Sequence, residues 1–312
     1  MAPRMLDPLT IWTVSDAKPG HANQLRALVA GIERRTAVDA HPLACADSNA
    51  LTGRFPRAMT ADLPAPDLIL CAGRTTHRPA RAVKKQFGGR LVVCMRPSAR
   101  AAAFDLCLVP RHDDPAPAPT IEPTAGAIVN VRPSDAHDDA RGVILIGGDS
   151  KHHRTDADAT SSAVRAIVAR DSSVAWDLTT SRRTPDALAD QLGAIDAPNL
   201  AITPPAQTPP GWVGEQLVRA GRAWVTEDSV SMLCEAVTAG CATGVLPMLR
   251  STPHGRVCRC IDDFTGELAL ATPYDAWRAG ATLAAPASPL DEADRCAGII
   301  LDRFFPEPER RA

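Results

Sequence analysis

The stretch from Trp224 to Pro247, WVTEDSVSMLCEAVTAGCATGVLP, constrains this chain most. An apolar run, Ala223 to Thr226, enters a polar turn at Glu227 and Asp228. Apolar residues then recur at helical spacing from Ser229 to Ala239, Gly240 stops the helix, and Ala242 to Leu246 is again apolar. Two short buried strands around one helix make a βαβ crossover, the unit of a parallel sheet. Ser229 suits the N-cap, where its hydroxyl accepts an orphan backbone N–H, and Gly240 suits the left-handed residue that ends a helix. A helix that opens beside serines presents free N–H groups and the positive end of its dipole, a place for a phosphate. Glu227 stands at the strand exit, and Glu235 follows about two helical turns on. The plainer reading is an ordinary crossover with capping serines and a solvated glutamate, so other stretches must supply specificity.

The rest of the chain repeats the alternation. Leu9 to Val14 is an apolar strand that ends in SDAKPGHANQ, and a helix runs through Glu33 with Leu25, Leu28, Val29 and Ile32 on one face. This order opens a crevice at the carboxyl end of a sheet, with Lys18, His21 and Asn23 as its polar groups. Further strands are expected at Ala37–Leu43, Asp67–Cys71, Arg90–Met95 and Phe104–Val109, and a short helix near Ser48–Phe55. DDPAPAPTIEPTAG reads as an extended connector, Ala127–Val131 as one more strand, and SDAHDDAR (Ser134 to Arg141) as a polar hinge.

The second half starts with Gly142–Ile146 and the loop GGDSKHHR, in which Gly147 and Gly148 clear space for a ligand and Lys151 and Arg154 add charge. Its spacing is not that of a P-loop. Asp156 and Asp158 precede a helix over Ser161–Ala169, where first-turn dipole pairing explains them better than a metal. Ser173–Leu178 leads to TTSRRTP, with Arg182 and Arg183 at the strand exit, a pairing that suits an anion. A strand at Asn199–Ile202, a helix at Trp212–Ala220, a loop after Pro247 and a last helix over Pro289–Phe305 complete the reading. The expected fold class is α/β, two Rossmann-like domains facing across a cleft: residues 1–137, residues 138–285, and a C-terminal helix in 286–312 packing back on the first domain.

Composition narrows the function classes. The net charge of −2 offers no bulk field for nucleic acid, and one Tyr, six Phe and five Trp in 312 residues make poor stacking platforms for bases. No run of about 18 apolar residues suggests a membrane span. MAPRMLDPLTIW lacks a signal-peptide core, so the expected location is cytoplasmic. The nine cysteines sit mostly among apolar neighbours and read as buried thiols. Cys258 and Cys260 form a lone CxC pair without the second pair of a zinc site, and no metal is expected.

SDAKPGH, CAGRTT, FDLCLVPRHDD, LIGGDSKHHR, TTSRRTP and VTEDSVSMLCEA occur in the order expected for the plant mitochondrial-fission ("elongated mitochondria") family and its bacterial relatives. The resemblance spans roughly residues 10 to 247. It implies the architecture of the GT-B glycosyltransferases, whose Glu-x7-Glu pattern commonly sets its second glutamate on the nucleotide ribose. That role carries over to Glu235, and Ser229 and Ser231 take the diphosphate-facing helix mouth. PGH (Pro19 to His21) resembles the Gly-rich turn ending in His of the peptidoglycan N-acetylglucosaminyltransferase.

The expected function is therefore metal-independent transfer of a sugar from a nucleotide-activated donor to an unknown acceptor, with no resident cofactor. Gly147, Gly148, Ser150, Lys151, Ser181, Arg182, Arg183, Thr226, Asp228, Ser229, Ser231 and Glu235 would hold the donor. His21 or Asp16 would take the acceptor's proton. The contrasting expectation is a non-catalytic adaptor, the role implied for the plant relatives, with at most peripheral membrane contact. A dinucleotide-dependent oxidoreductase or epimerase is disfavoured, because no GxGxxG follows the first strand.

Overall fold

The structure, a computed structural model, describes residues 8–98, 100–283, 285–288 and 290–306. The chain forms two compact units, Met1–Asn130 with Glu292–Ala312, and Val131–Asp291. In chain order the first half holds β1 (Leu9–Ser15), α1 (Pro19–Glu33), β2 (Val38–Ala44), α2 (Arg57–Thr60), β3 (Leu68–Ala72), α3 (His77–Phe87), β4 (Arg90–Cys94), β5 (Leu106–Pro110) and β6 (Ile121–Thr124). There follow β7 (Asp138–Ile146), β8 (His153–Arg154), α4 (Ala157–Arg170), β9 (Ala175–Thr180), α5 (Asp186–Gly193), β10 (Leu200–Thr203), α6 (Trp212–Leu217) and β11 (Ala220–Thr226). The second unit closes with α7 (Val230–Ala239), β12 (Ala242–Leu246), β13 (Leu249–Arg250), α8 (Arg256–Thr265), β14 (Thr272–Pro273) and α9 (Tyr274–Arg278), and α10 (Glu292–Phe304) returns to the first.

Unit one is a parallel sheet in the order β2-β1-β3-β4-β5-β6. β3 and β5 are buried at every residue, which explains their unbroken apolar sequence: helices cover both faces of a parallel sheet. The strand period of two divides the core. Ile11 and Leu70 join α1 and α10 on one face, while Trp12 and Ile69 join Val83 of α3 and Phe104 on the other. Gly31 lets α10 approach α1, because a Cβ there would overlap the carbonyl of Ala293. Asp294 then pairs with Arg35 at 2.6 Å, and Arg295 with Glu122 at 2.6 Å.

Unit two is a parallel sheet in the order β10-β9-β7-β11-β12-β14, with β8 and β13 as a separate antiparallel pair. Counted within the sheet the order is third, second, first, fourth, fifth, sixth, the Rossmann arrangement. Trp224 of β11 meets Trp277 edge-on at 5.2 Å, and Gly244 of β12 leaves room for the Trp224 ring.

Four expectations change. The strand expected at Ala127–Val131 does not form; the sixth strand comes from the Pro-rich connector, at Ile121–Thr124. An edge position tolerates Pro123, whose missing N–H deprives no neighbour. Asn49 Oδ1 accepts the N–H groups of Leu51 and Thr52, so a turn replaces the helix near Ser48–Phe55. The polar hinge ends in β7, because pairing with β11 runs on to Asp138. The loop after Pro247 contains β13 and α8. Pro289, the expected start of the last helix, and residues 1–7 lie outside the described residues.

Candidate active site

In open parallel sheets, ligands sit beyond the carboxyl ends of the strands where the strand order reverses. In unit two that point lies between β7 and β11, and the loops after β7, β9 and β11 are tied together there. The Asp228 side chain, fully buried, is the knot. Its Oδ2 accepts the Gly148 N–H at 3.2 Å and Nη2 of Arg183 at 2.7 Å, and its Oδ1 accepts the Thr226 hydroxyl at 2.7 Å. Thr226 Oγ1 in turn accepts the Gly147 N–H at 2.7 Å. Arg183 Nη1 donates to the carbonyls of Gly148 and Asp149, and the Thr184 hydroxyl to that of Gly147.

This geometry reassigns the two glycines. A Cβ on Gly147 would overlap the Asp228 carboxylate, and one on Gly148 the backbone of Arg183. The protein's own groups fill the space expected for a ligand, and both glycine N–H groups are already bonded. Ser150 Oγ accepts the N–H groups of His152 and His153, and Ser181 Oγ that of Arg183, so both serines shape their turns. Asp156 caps α4 through the Ala159 N–H.

Other groups around this edge remain uncommitted. Ser229 caps α7 by accepting the Met232 N–H at 3.4 Å, and Gly240 ends the helix at φ 98°. The N–H groups of Val230 and Ser231 have no backbone partner among the described residues, and Ser231 is exposed. Lys151 and Arg182 are exposed and make no hydrogen bond or ion pair among the described residues. Arg183 is 45% exposed and keeps unused donors. Glu235, half-buried on α7, has no hydrogen bond or ion pair among the described residues, and burial pushes its carboxyl up to about 7.

Glu227 has a different task. Buried at the exit of β11, it accepts the Met248 N–H at 2.9 Å and a two-pronged bond from Arg250 at 3.0 and 2.8 Å. It thereby fixes the chain after β12. His153, wholly buried, lies 3.9 Å from Glu227, and desolvation, opposed by Glu227 and Asp228, lowers its pKa. Sequence reasoning missed Arg250 and Thr184, which act through partners more than twenty residues away and leave no local signal.

Unit one reverses its strand order between β1 and β3, and a second polar cluster lies there. His21 Nδ1 is 2.8 Å from Asp16 Oδ1, and the Thr75 hydroxyl donates to Asp16 Oδ2 at 3.0 Å. Pro19 in the first turn of α1 sets the helix entry, and the Lys18 N–H donates to Asp16 at 3.3 Å. Gly73, at φ +91°, makes room for the ring: a Cβ there would overlap His21. Burial pushes the Asp16 carboxyl up, but the bonds from His21, Thr75 and the Lys18 amide outweigh it and hold the pKa below its usual value. An ionised Asp16 accepts Nδ1–H and so orients the His21 ring, whose Nε2 has no bond among the described residues. The sequence contained Thr75 in its GRTT turn, but not the strand order that brings it to Asp16.

The sequence matches the family described as Mitochondrial fission ELM1 over residues 19–304. The chain belongs to this family. For this ELM1-family chain no curated protein gives a match. Among solved structures it is similar to a protein assigned as a UDP-N-acetylglucosamine 2-epimerase from Listeria monocytogenes, with TM-score 0.57 and 14% identity over 97% of this chain and 98% of that one. The Methanocaldococcus jannaschii UDP-GlcNAc 2-epimerase in complex with UDP-GlcNAc and UDP gives TM-score 0.50 and 10% identity over 93% and 99%. The Neisseria meningitidis enzyme bound to UDP-GlcNAc gives 0.50 and 10% over 94% and 99%. At these identities the likeness concerns the fold: two Rossmann-like domains of GT-B type. Among the described residues no helix is long and apolar enough to cross a membrane, and no group of three or more His, Cys, Asp or Glu is arranged to hold a metal ion.

Proposed function

We propose that this chain binds a nucleotide-activated sugar on its second unit and transfers the sugar to a hydroxyl acceptor. Glu235 carries the reading. A half-buried carboxyl without a protein partner is costly unless a ligand completes it, and this one lies about one and a half turns behind an open helix mouth. In the proposed complex Glu235 holds the ribose. The diphosphate lies against the Val230 and Ser231 N–H groups, with Lys151, Arg182 and the spare donors of Arg183 around it.

These donors face the charge that grows on the leaving diphosphate as the glycosidic bond breaks, and the reading gives no role to a metal ion. The acceptor oxygen forms the new bond to the sugar and gives up its proton. Nε2 of His21 takes it, with Asp16 holding Nδ1–H and stabilising the imidazolium. UDP-GlcNAc is the first donor to test, since the Methanocaldococcus and Neisseria structures contain it.

Thermal-shift titration with UDP-, GDP-, ADP- and CMP-sugars tests the reading. The matching donor stabilises the protein by about 2.7 kcal/mol at 100 times its Kd. Arg183→Ala combined with Ser229→Ala abolishes that response in calorimetry while the circular dichroism of the fold is retained. Four flat titrations would overturn the assignment.

A further inference from the structure

Unit one carries a second concentration of charge that the proposed reaction does not use. A depression of about 360 Å³ is lined by Arg54, Arg78, Arg81 and Lys85, and no carboxylate is among its described lining residues. The last three recur along α3 at spacings of three and four, so they form one stripe. None of the four makes an ion pair among the described residues; Arg78 donates only to the carbonyls of Ala50 and Leu51, at 2.9 and 3.1 Å. Lys84, on the same helix, is neutralised by Asp105 at 2.6 Å. A chain of net charge −2 has acid to spare, yet leaves this stripe uncompensated.

An apolar finger stands beside it. Leu51, next to the lining residue Thr52, is 85% exposed. Single exposed leucines are ordinary. This one is held in place from both sides: Asn49 Oδ1 grips the N–H groups of Leu51 and Thr52, and Arg78 grips the carbonyls of Ala50 and Leu51. Gly53, at φ +73°, permits the loop to press on α3, because a Cβ there would run into the backbone of Arg78. One arginine thus belongs to the charged depression and also presents the leucine.

We infer that this face of unit one docks on a bilayer of anionic phospholipid, with a headgroup phosphate in the depression and Leu51 in the acyl boundary. Nucleic acid would satisfy the charge but leave Leu51 in water. A free phosphate would need no leucine at all.

The test is co-sedimentation of the full chain with vesicles of phosphatidylcholine alone and of phosphatidylcholine mixed with phosphatidylglycerol. The chain should bind the mixed vesicles, lose them as salt rises, and ignore the neutral ones. Arg81→Gln with Lys85→Gln should weaken binding roughly 25-fold, at about fivefold per cation. Leu51→Ser should weaken it about tenfold at unchanged charge. All these side chains are exposed, and circular dichroism verifies that the variants fold. Equal binding to both vesicle types, or wild-type binding by the charge variant, would overturn the inference. So would a Leu51→Ser variant that binds normally, which takes the leucine out of the contact, or displacement by inorganic phosphate at constant ionic strength, which identifies a soluble anion as the ligand.

Discussion

The two six-stranded parallel sheets each reverse their strand order at one carboxyl edge, and the two edges spend their polar residues differently. In unit two, Asp228, Thr226, Arg183, Thr184 and two glycine N–H groups satisfy one another, so the loops after β7, β9 and β11 form one braced rim. In unit one, Asp16 is braced by Thr75 and the Lys18 amide, but the bracing ends at a histidine whose outer nitrogen is left open. One edge ties its polar groups into a rim, with Lys151 and Arg182 exposed nearby in the same loops. The other uses them to hold a single histidine ring.

The sharpest way to break this contrast is His21→Ala. The proposal predicts a fall in turnover of about 10²–10⁴-fold, with the donor-induced thermal shift unchanged. If donor binding vanished along with turnover, the division of labour would be wrong. Asp228→Ala comes next. It strands the Gly148 N–H, the Thr226 hydroxyl and the Arg183 guanidinium, and urea unfolding should register a loss of about 3 kcal/mol, tempered because Arg183 is partly solvated. Asp16→Ala should cost less stability than Asp228→Ala, since Asp16 braces one histidine and one turn and not three loops.

The smallest effect is one of pH. The Glu235 carboxyl rises from an ordinary 4.5 to about 7 in the fold. The folded state therefore holds its proton more tightly than the unfolded chain does. Stability should decline as pH climbs from about 4.5 to about 7 and level off above, by at most about 3 kcal/mol, and by less where water still reaches the group. Glu235→Gln should flatten that slope in unfolding curves taken across the window. A slope that survives the substitution would assign it to other groups.

Most strands were legible because a sheet covered on both faces needs unbroken apolar runs, and Asp67–Cys71 or Ala242–Leu246 could be little else. What escaped was set by position in the sheet: Ile121–Thr124 pairs despite its proline because it is an edge, and α8 follows a loop whose anchor, Glu227, lies 21 residues before Met248. The sites were legible as residue types and illegible as partnerships. Gly147 and Gly148 read as space for a ligand, and only the adjacency of β7 and β11 reveals Asp228 in that space. Asp16 and His21, five residues apart, could be paired from sequence; Thr75 could not.

The return of α10 to the first sheet has a bearing on biosynthesis. Ile300 and Cys296 complete a core begun by Ile11, so everything between Val131 and Asp291 is an insertion within unit one. On the ribosome the inserted domain has all its described elements before its host, whose strands come first, receives α10. Unit one must wait, with one side of its core uncovered, until α10 is made.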